Sequence, residues 1–179
     1  MSFVEAEMSS FFSLEGVPLI LIAWLFIYIF RPISTIIHEL GHAIIASFMT
    51  DQLVKIKVGV GEKSFHLRVK RIEILLAPKM MISGHTAFSE LNLTKLQLLS
   101  ILFAGPFFSA LASVLGIYLI YQTKLHSAID AVLVGWICSH LLCFIRNALP
   151  AHLQDPVNKD SRGVPSDGLQ IYRILKQRS

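Results

Sequence analysis

The residues with the clearest chemical potential are His38, Glu39 and His42, which form the motif HELGH at positions 38–42. On a helix, histidines four residues apart project from one face and can share a Zn²⁺ ion. Glu39 lies about 100° around the helix from His38, so its carboxylate misses the metal but can act as general base on a metal-bound water. The pattern therefore predicts zinc-dependent hydrolysis.

The motif lies in an unusually apolar stretch. Residues 17–30 carry no charge, and Glu39 and the two histidines are the only ionisable groups in residues 33–49. Ionisable groups at membrane depth are costly and usually functional, so the setting predicts peptide hydrolysis within a membrane. The simpler alternative is a pair of buried histidines that hydrogen-bond to neighbouring helices.

Composition also indicates a membrane protein. Hydrophobic residues make up 54% of the 179 residues and charged residues 16%, whereas soluble domains are about 25% charged. A single domain over residues 1–179 is the simplest organisation. The pI near 9.2 would also suit nucleic-acid binding, but the basic segments flank apolar spans, and we expect the lipid bilayer rather than nucleic acid as partner.

Three apolar segments are long enough to be transmembrane helices, at residues 17–49, 96–121 and 128–149. As one helix the first would be about 50 Å long, more than a hydrocarbon core of about 30 Å. We favour one tilted helix, kinked at Pro32, over a hairpin that starts near Phe11. The expected fold is an all-α polytopic membrane protein with a core of three transmembrane helices.

A different pattern follows the first helix. Residues 54–60 and 65–69 alternate apolar and polar side chains on either side of a turn at 61–63, which predicts a β-hairpin. A third short strand is expected near residues 85–88. In the polar tail, residues 169–177 could form a short basic amphipathic helix.

The basic residues predict the orientation in the membrane. With three spans, 13 of the 16 Lys and Arg residues fall on the side that carries residues 50–95 and the tail, which the positive-inside rule assigns to the cytoplasm. The hairpin is then a small sheet on the cytoplasmic face. His42 lies roughly 10 Å from the helix end at Met49, so we expect the active site to open towards the cytoplasm.

A catalytic zinc site needs a third protein ligand and an open position. The residue types and positions alone leave five possibilities, namely Asp130, His140, Asp155, Asp160 and Asp167.

Four motifs in order along the chain resemble the site-2 protease family of intramembrane zinc metalloproteases. They are HELGH at 38–42, Gly105-Pro106, Asn147-Ala148-Leu149-Pro150 and Ser166-Asp167-Gly168. The resemblance implies a core of three transmembrane helices, a Zn²⁺ cofactor and Asp167 as the third ligand. Gly105, Pro106 and Asn147 are then expected to contact the substrate.

The chain departs from the family pattern at two points. Ser109 occupies the position where the family usually has Asn, three residues after Gly-Pro. The 20 residues from Asn147 to Asp167 also exceed the usual spacing, although small family members resemble this chain in that respect. Asp155 stands at the shorter spacing and is the alternative ligand, while Asp167 could instead be a helix N-terminal cap.

The expected function is that of a zinc endopeptidase that cleaves transmembrane or juxtamembrane segments of membrane proteins, as in regulated proteolysis. The alternative is a catalytically silent membrane protein that binds transmembrane helices, although the intact Glu39 argues against it. The β-hairpin could pair with an extended substrate by strand addition or simply cover the membrane face and bind lipid head groups.

Overall fold

Three long helices form the body of the protein in the computed structural model, which describes residues 17–61, 64–123, 128–154 and 163–177. They are α1 (Val17–Met49), α2 (Lys95–Thr123) and α3 (Ala128–Ala148). Each is long and apolar enough to cross a membrane, so the chain is a polytopic membrane protein, as expected. The first helix is continuous with Pro32 inside it, which confirms the single-helix interpretation; Phe11 lies outside the described residues.

Small residues bring these helices close together. A Cβ atom on Gly41 of α1 would lie 2.6 Å from the carbonyl oxygen of Ala104 in α2, and one on Gly135 of α3 would lie 2.6 Å from Cβ of Phe26. Close approach of this kind replaces hydrophobic burial as a source of helix association in lipid. It also places the histidine-bearing face of α1 directly against α2.

A four-stranded sheet covers the end of α1 that carries the HELGH motif. Its strands are β1 (Val54–Val60), β2 (Phe65–Val69), β3 (Ile72–Leu76) and β4 (Lys79–Ala87), in the order β2-β3-β1-β4. β1 pairs parallel with β3 and antiparallel with β4, and β2 pairs with β3 only.

The prediction that residues 54–60 and 65–69 form one hairpin is therefore wrong. Val54, Ile56 and Val58 are fully buried and pack with Ala43 and Ala46 of α1, so β1 belongs in the centre of the sheet. β2 is exposed along its whole length and lies at an edge. The strand expected near residues 85–88 begins earlier, at Lys79, and residues 62–63 of the expected turn lie outside the described part.

The C-terminal segment returns to the helical core. β5 (His152–Leu153) pairs antiparallel with β6 (Val164–Pro165), and α4 (Asp167–Lys176) follows directly. This short ladder holds Leu153 beside Val164. Asp167 therefore lies near the end of α3, although 20 positions separate it from Asn147.

Candidate metal centre

The two histidines of HELGH point from α1 into the interior of the protein. His38 is 3% exposed and His42 is 6% exposed. Their Nε2 atoms lie 3.2 Å apart, because residues four apart on a helix share a face. Helical spacing alone is therefore enough to bring two ligand atoms together.

The proton position on His42 follows from its second ring nitrogen. Its Nδ1 lies 2.7 Å from the backbone carbonyl oxygen of Ile101 in α2. A carbonyl can only accept, so the Nδ1–H of His42 donates this hydrogen bond. Neutral His42 consequently presents the Nε2 lone pair to the cluster, in the form required of a metal ligand.

His38 has a hydroxyl partner in the corresponding position. Its Nδ1 lies 3.1 Å from Oγ of Ser109, which is completely buried on α2. With its proton on Nδ1, His38 donates to this oxygen and presents Nε2 to the cluster. In the sequence Ser109 stands out only as a departure from the family pattern, and no local pattern predicts this contact, although the side chain lies one turn beyond Gly105.

Asp167 completes the cluster from the other end of the chain. Its Oδ2 lies 3.0 Å from Nε2 of His38 and 3.4 Å from Nε2 of His42. Burial, the largest influence, acts to raise the pKa of this carboxyl group, but hydrogen bonds from His38 and His42, donated when these histidines carry a proton on Nε2 and no metal is bound, outweigh it and lower the pKa to about 2. The carboxylate is thus ionised at neutral pH, the state in which it binds metals.

Ser166 and Gly168 hold Asp167 in place. Oγ of Ser166 accepts a hydrogen bond from the backbone N–H of Leu169, which makes Ser166, not Asp167, the N-terminal cap of α4. The same hydroxyl donates to the carbonyl oxygen of Leu149. A Cβ atom on Gly168 would lie 2.0 Å from the carbonyl oxygen of Ala148, so only glycine allows α4 to approach the end of α3 this closely.

The three ligand atoms have the spacing of a tetrahedral metal site. Their separations of 3.0, 3.2 and 3.4 Å compare with roughly 3.3 Å between ligand atoms in a tetrahedron with bonds of about 2.0–2.1 Å. Two imidazoles and one carboxylate suit Zn²⁺, and three protein ligands leave the fourth position open. Among the described residues, this is the group of His, Cys, Asp and Glu side chains able to hold a metal ion.

Glu39 does not join the ligand cluster but is fixed beside it by β4. Its Oε2 accepts a hydrogen bond of 2.7 Å from the hydroxyl of Thr86. A Cβ atom on Gly84 would lie 2.6 Å from both Cγ and Oε1 of Glu39, so β4 passes directly over this side chain. The alternating pattern of residues 54–69 did not reveal these contacts, because Thr86 and Gly84 lie on a strand further along the chain.

Comparison with models of protein families finds a match over most of the chain. A model of the Peptidase M50B-like family matches residues 16–153. The chain belongs to this family. The resemblance to site-2 proteases is thereby confirmed, and membership implies a protease of the metallopeptidase type. No curated protein matches the chain.

The M50B-like match ends before the Ser-Asp-Gly motif, so the placement of Asp167 comes from the structure. The other possible ligands are not brought to the cluster. His140 is fully buried on α3, with its ring centroid 4.3 Å from that of Trp136, and neither it nor Asp130 belongs to the group. Asp155 and Asp160 lie outside the described residues.

The three residues expected to contact substrate occupy different surroundings in this M50B-like chain. A Cβ atom on Gly105 would lie 2.2 Å from Nε2 of His42, so this glycine makes room for a ligand. Pro106 is buried within α2. Asn147 lines two cavities that also have Glu39 in their walls and donates from Nδ2 to the carbonyl oxygen of Cys143 at 2.9 Å.

Proposed function

We propose that the protein is a zinc-dependent intramembrane endopeptidase that cleaves transmembrane or juxtamembrane segments of other membrane proteins. The observation that carries this proposal is the convergence of two imidazole nitrogens and one carboxylate oxygen within 3.4 Å of one another, with the carboxylate of Glu39 fixed beside them. A site that only stored zinc would have no use for this fourth ionisable side chain. A Zn²⁺ ion held by His38, His42 and Asp167 would polarise the scissile carbonyl and ease ionisation of the attacking water.

Glu39 is the proposed general base. It takes the proton from the attacking water and delivers it to the leaving nitrogen, so it must be near the reaction in one fixed orientation. The hydroxyl of Thr86 binds Oε2, which leaves Oε1 for the proton. The side chain is only 6% exposed, and this burial limits access of bulk water to the reacting groups.

The exposed edge of β4 suits presentation of an unwound substrate. A transmembrane helix satisfies its own backbone and must be opened before it can be cleaved. Within the described residues β4 pairs with β1 alone and forms an edge of the sheet, and Gly84 on β4 contacts Glu39. A substrate strand added to the free edge would therefore lie beside the general base. Asn147 faces the same space, and its Oδ1 can accept a hydrogen bond from a substrate N–H.

We place the protein in the cell membrane, with the sheet on the cytoplasmic face and the catalytic site open towards the cytoplasm. The distribution of basic residues supports this orientation. Substrates would then be membrane proteins that reach the site through the bilayer or from its cytoplasmic surface, as in regulated proteolysis.

The direct test measures bound zinc and cleavage in the same preparations. Wild type, Glu39→Gln and Asp167→Ala are purified in detergent and incubated with a panel of single-span membrane proteins. We expect one zinc per chain in wild type and in Glu39→Gln, cleavage in wild type alone, and loss of both zinc and cleavage in Asp167→Ala. A chelator should abolish wild-type cleavage, and added zinc should restore it.

Two results would contradict the proposal. Zinc in wild type and Glu39→Gln without cleavage by either would favour the silent helix-binding protein. Normal cleavage by Asp167→Ala would show that this carboxylate is not a required ligand.

A further inference from the structure

A cavity of about 390 Å³ opens beside Glu39 between α1, α3 and β4. Its wall carries Arg31, Lys57 and Arg146, and Glu39 is the one carboxylate that the described residues place there. Arg31 lies seven residues before His38, two turns away on the same face of α1, and both side chains line this cavity. This cavity is therefore strongly cationic next to the reacting groups.

Its arginines have no acidic partner in the described part of the chain. No described carboxylate lies within 4.0 Å of Arg31 or Arg146, although other basic residues do form such pairs. Within the described residues Arg146 donates one hydrogen bond, of 3.2 Å, to the backbone carbonyl of Ile82, and its other guanidinium donors have no partner there. Arg31 lies near the middle of α1 and Arg146 in the last turn of α3, and both helices are long and apolar enough to cross a membrane. A charge that enters the bilayer without a partner is costly and usually functional.

A second cavity of about 290 Å³ also has Glu39 in its wall. Its described lining includes Glu90 and the proposed zinc ligand Asp167, and no Lys or Arg. The two cavities share a central wall, formed by His38, Glu39, Gly84, His85, Asn147, Leu153 and Val164. Because a Zn²⁺ ion would offset the charge of Asp167, the two cavities differ in the Lys and Arg side chains that line the first one alone.

We propose that the basic cavity is a specificity subsite for an acidic side chain of the substrate, on one side of the scissile bond. This inference rests on the proposed protease function. Guanidinium groups bind carboxylates through charge-assisted, frequently bidentate hydrogen bonds. A substrate Asp or Glu that is costly at membrane depth would be stabilised there, whereas a neutral substrate would leave the arginines unpaired. A lipid phosphate offers the guanidinium groups the same chemistry, and the experiment below separates these two occupants.

The test measures binding, so that it does not depend on cleavage. Zinc-loaded Glu39→Gln protein is titrated with two short fluorescent apolar peptides that differ only in one central residue, Glu or Gln. We expect the Glu peptide to bind at least about 10-fold more tightly, the effect of one hydrogen bond to a charged group. Adding Arg31→Gln and Arg146→Gln should remove the preference, and adding Arg31→Lys and Arg146→Lys should keep part of it.

A matched control changes two basic residues outside both cavities, by adding Arg68→Gln and Lys70→Gln, and should retain the full preference. Bound zinc reports whether each variant is folded. Equal affinity for the two peptides, no binding of either, or a preference that survives loss of both arginines would overturn the subsite. So would arginine-dependent binding of short-chain phosphatidylglycerol without discrimination between the peptides.

The two proposals fail separately. Cleavage by wild type without discrimination between the peptides would leave the protease and remove the subsite. Discrimination without any wild-type cleavage would leave an anion-binding cavity and remove the protease.

Discussion

Ser109 shows how a single hydroxyl can orient a metal ligand. It is fully buried and lies 3.1 Å from Nδ1 of His38. Loss of such an outer partner typically lowers metal affinity about 10- to 100-fold. We expect Ser109→Ala to lower zinc affinity in that range, measured by competition with a chromogenic chelator. Ser113→Ala is the matched control, because Ser113 is also buried but bonds the backbone oxygen of Ser109. Equal zinc retention in both variants would contradict the role of Ser109.

Gly105 is important because it leaves space for the His42 imidazole at the metal centre. A methyl group there would lie 2.2 Å from Nε2 of His42, so Gly105→Ala must displace the imidazole. We expect zinc binding to be lost while helix content, measured by circular dichroism, is kept. In Gly116→Ala, on the same helix, the new methyl would meet Ile137 and Trp136 side chains instead. That variant should melt at a lower temperature but still bind one zinc, and the opposite outcome would show that Gly105 serves only packing.

At the scale of elements, β4 is the strand that contacts the proposed general base, Glu39. Thr86 places its hydroxyl on Oε2 of Glu39, so Thr86→Val should lower kcat roughly 10-fold, the effect of losing one hydrogen bond to a charged group. Zinc content should not change. Thr86→Ser keeps the hydroxyl and should retain most of the activity. A loss as large as that of Thr86→Val would show that the hydroxyl bond to Glu39 is not the cause.

The elements differ in how well the sequence predicts them. The three spans follow from uninterrupted apolar runs, and the structure confirms them within two residues at each end. Strand pairing does not follow from alternation, since residues 54–60 and 65–69 have the same pattern but different neighbours. Fully buried Val54, Ile56 and Val58 are what place β1 in the centre, and this burial depends on α1. The pairing of β1 with β3 and β4 therefore depends on its packing against α1, which the alternation within residues 54–69 does not show.

The candidate site was predictable where helical spacing or a motif defines it. His38, His42 and Glu39 follow from HELGH, and Asp167 from the family motif; the structure brings both histidines and Asp167 together, while their role as zinc ligands stays a proposal. Contacts between distant elements could not be predicted. Ser109 lies 71 positions from His38, and Thr86 lies 47 from Glu39. These pairs depend on the packing of whole elements, to which no local pattern points.

At the scale of the whole molecule, the distribution of charge predicts on which side of the membrane the sheet and the active site lie. Residues 51–95 carry eight of the 16 Lys and Arg, and a basic sheet is expected to remain on the cytoplasmic side. Single cysteines at Arg68 on β2 and Gln122 near the opposite end of α2 report the two sides, because both positions are exposed. Cys138 and Cys143 are first replaced by Ala, and this cysteine-free protein is the unlabelled control.

With a membrane-impermeant maleimide on right-side-out vesicles, we expect Gln122→Cys to be labelled at once and Arg68→Cys only after permeabilisation. The physical reason is that translocating the sheet would carry its Lys and Arg residues across the bilayer, which the positive-inside bias opposes. The reverse labelling pattern would place β4, and with it Glu39, towards the outside. Substrates would then have to present their cleavage segments from that side of the membrane, so the orientation decides which half of a substrate could be released into the cytoplasm.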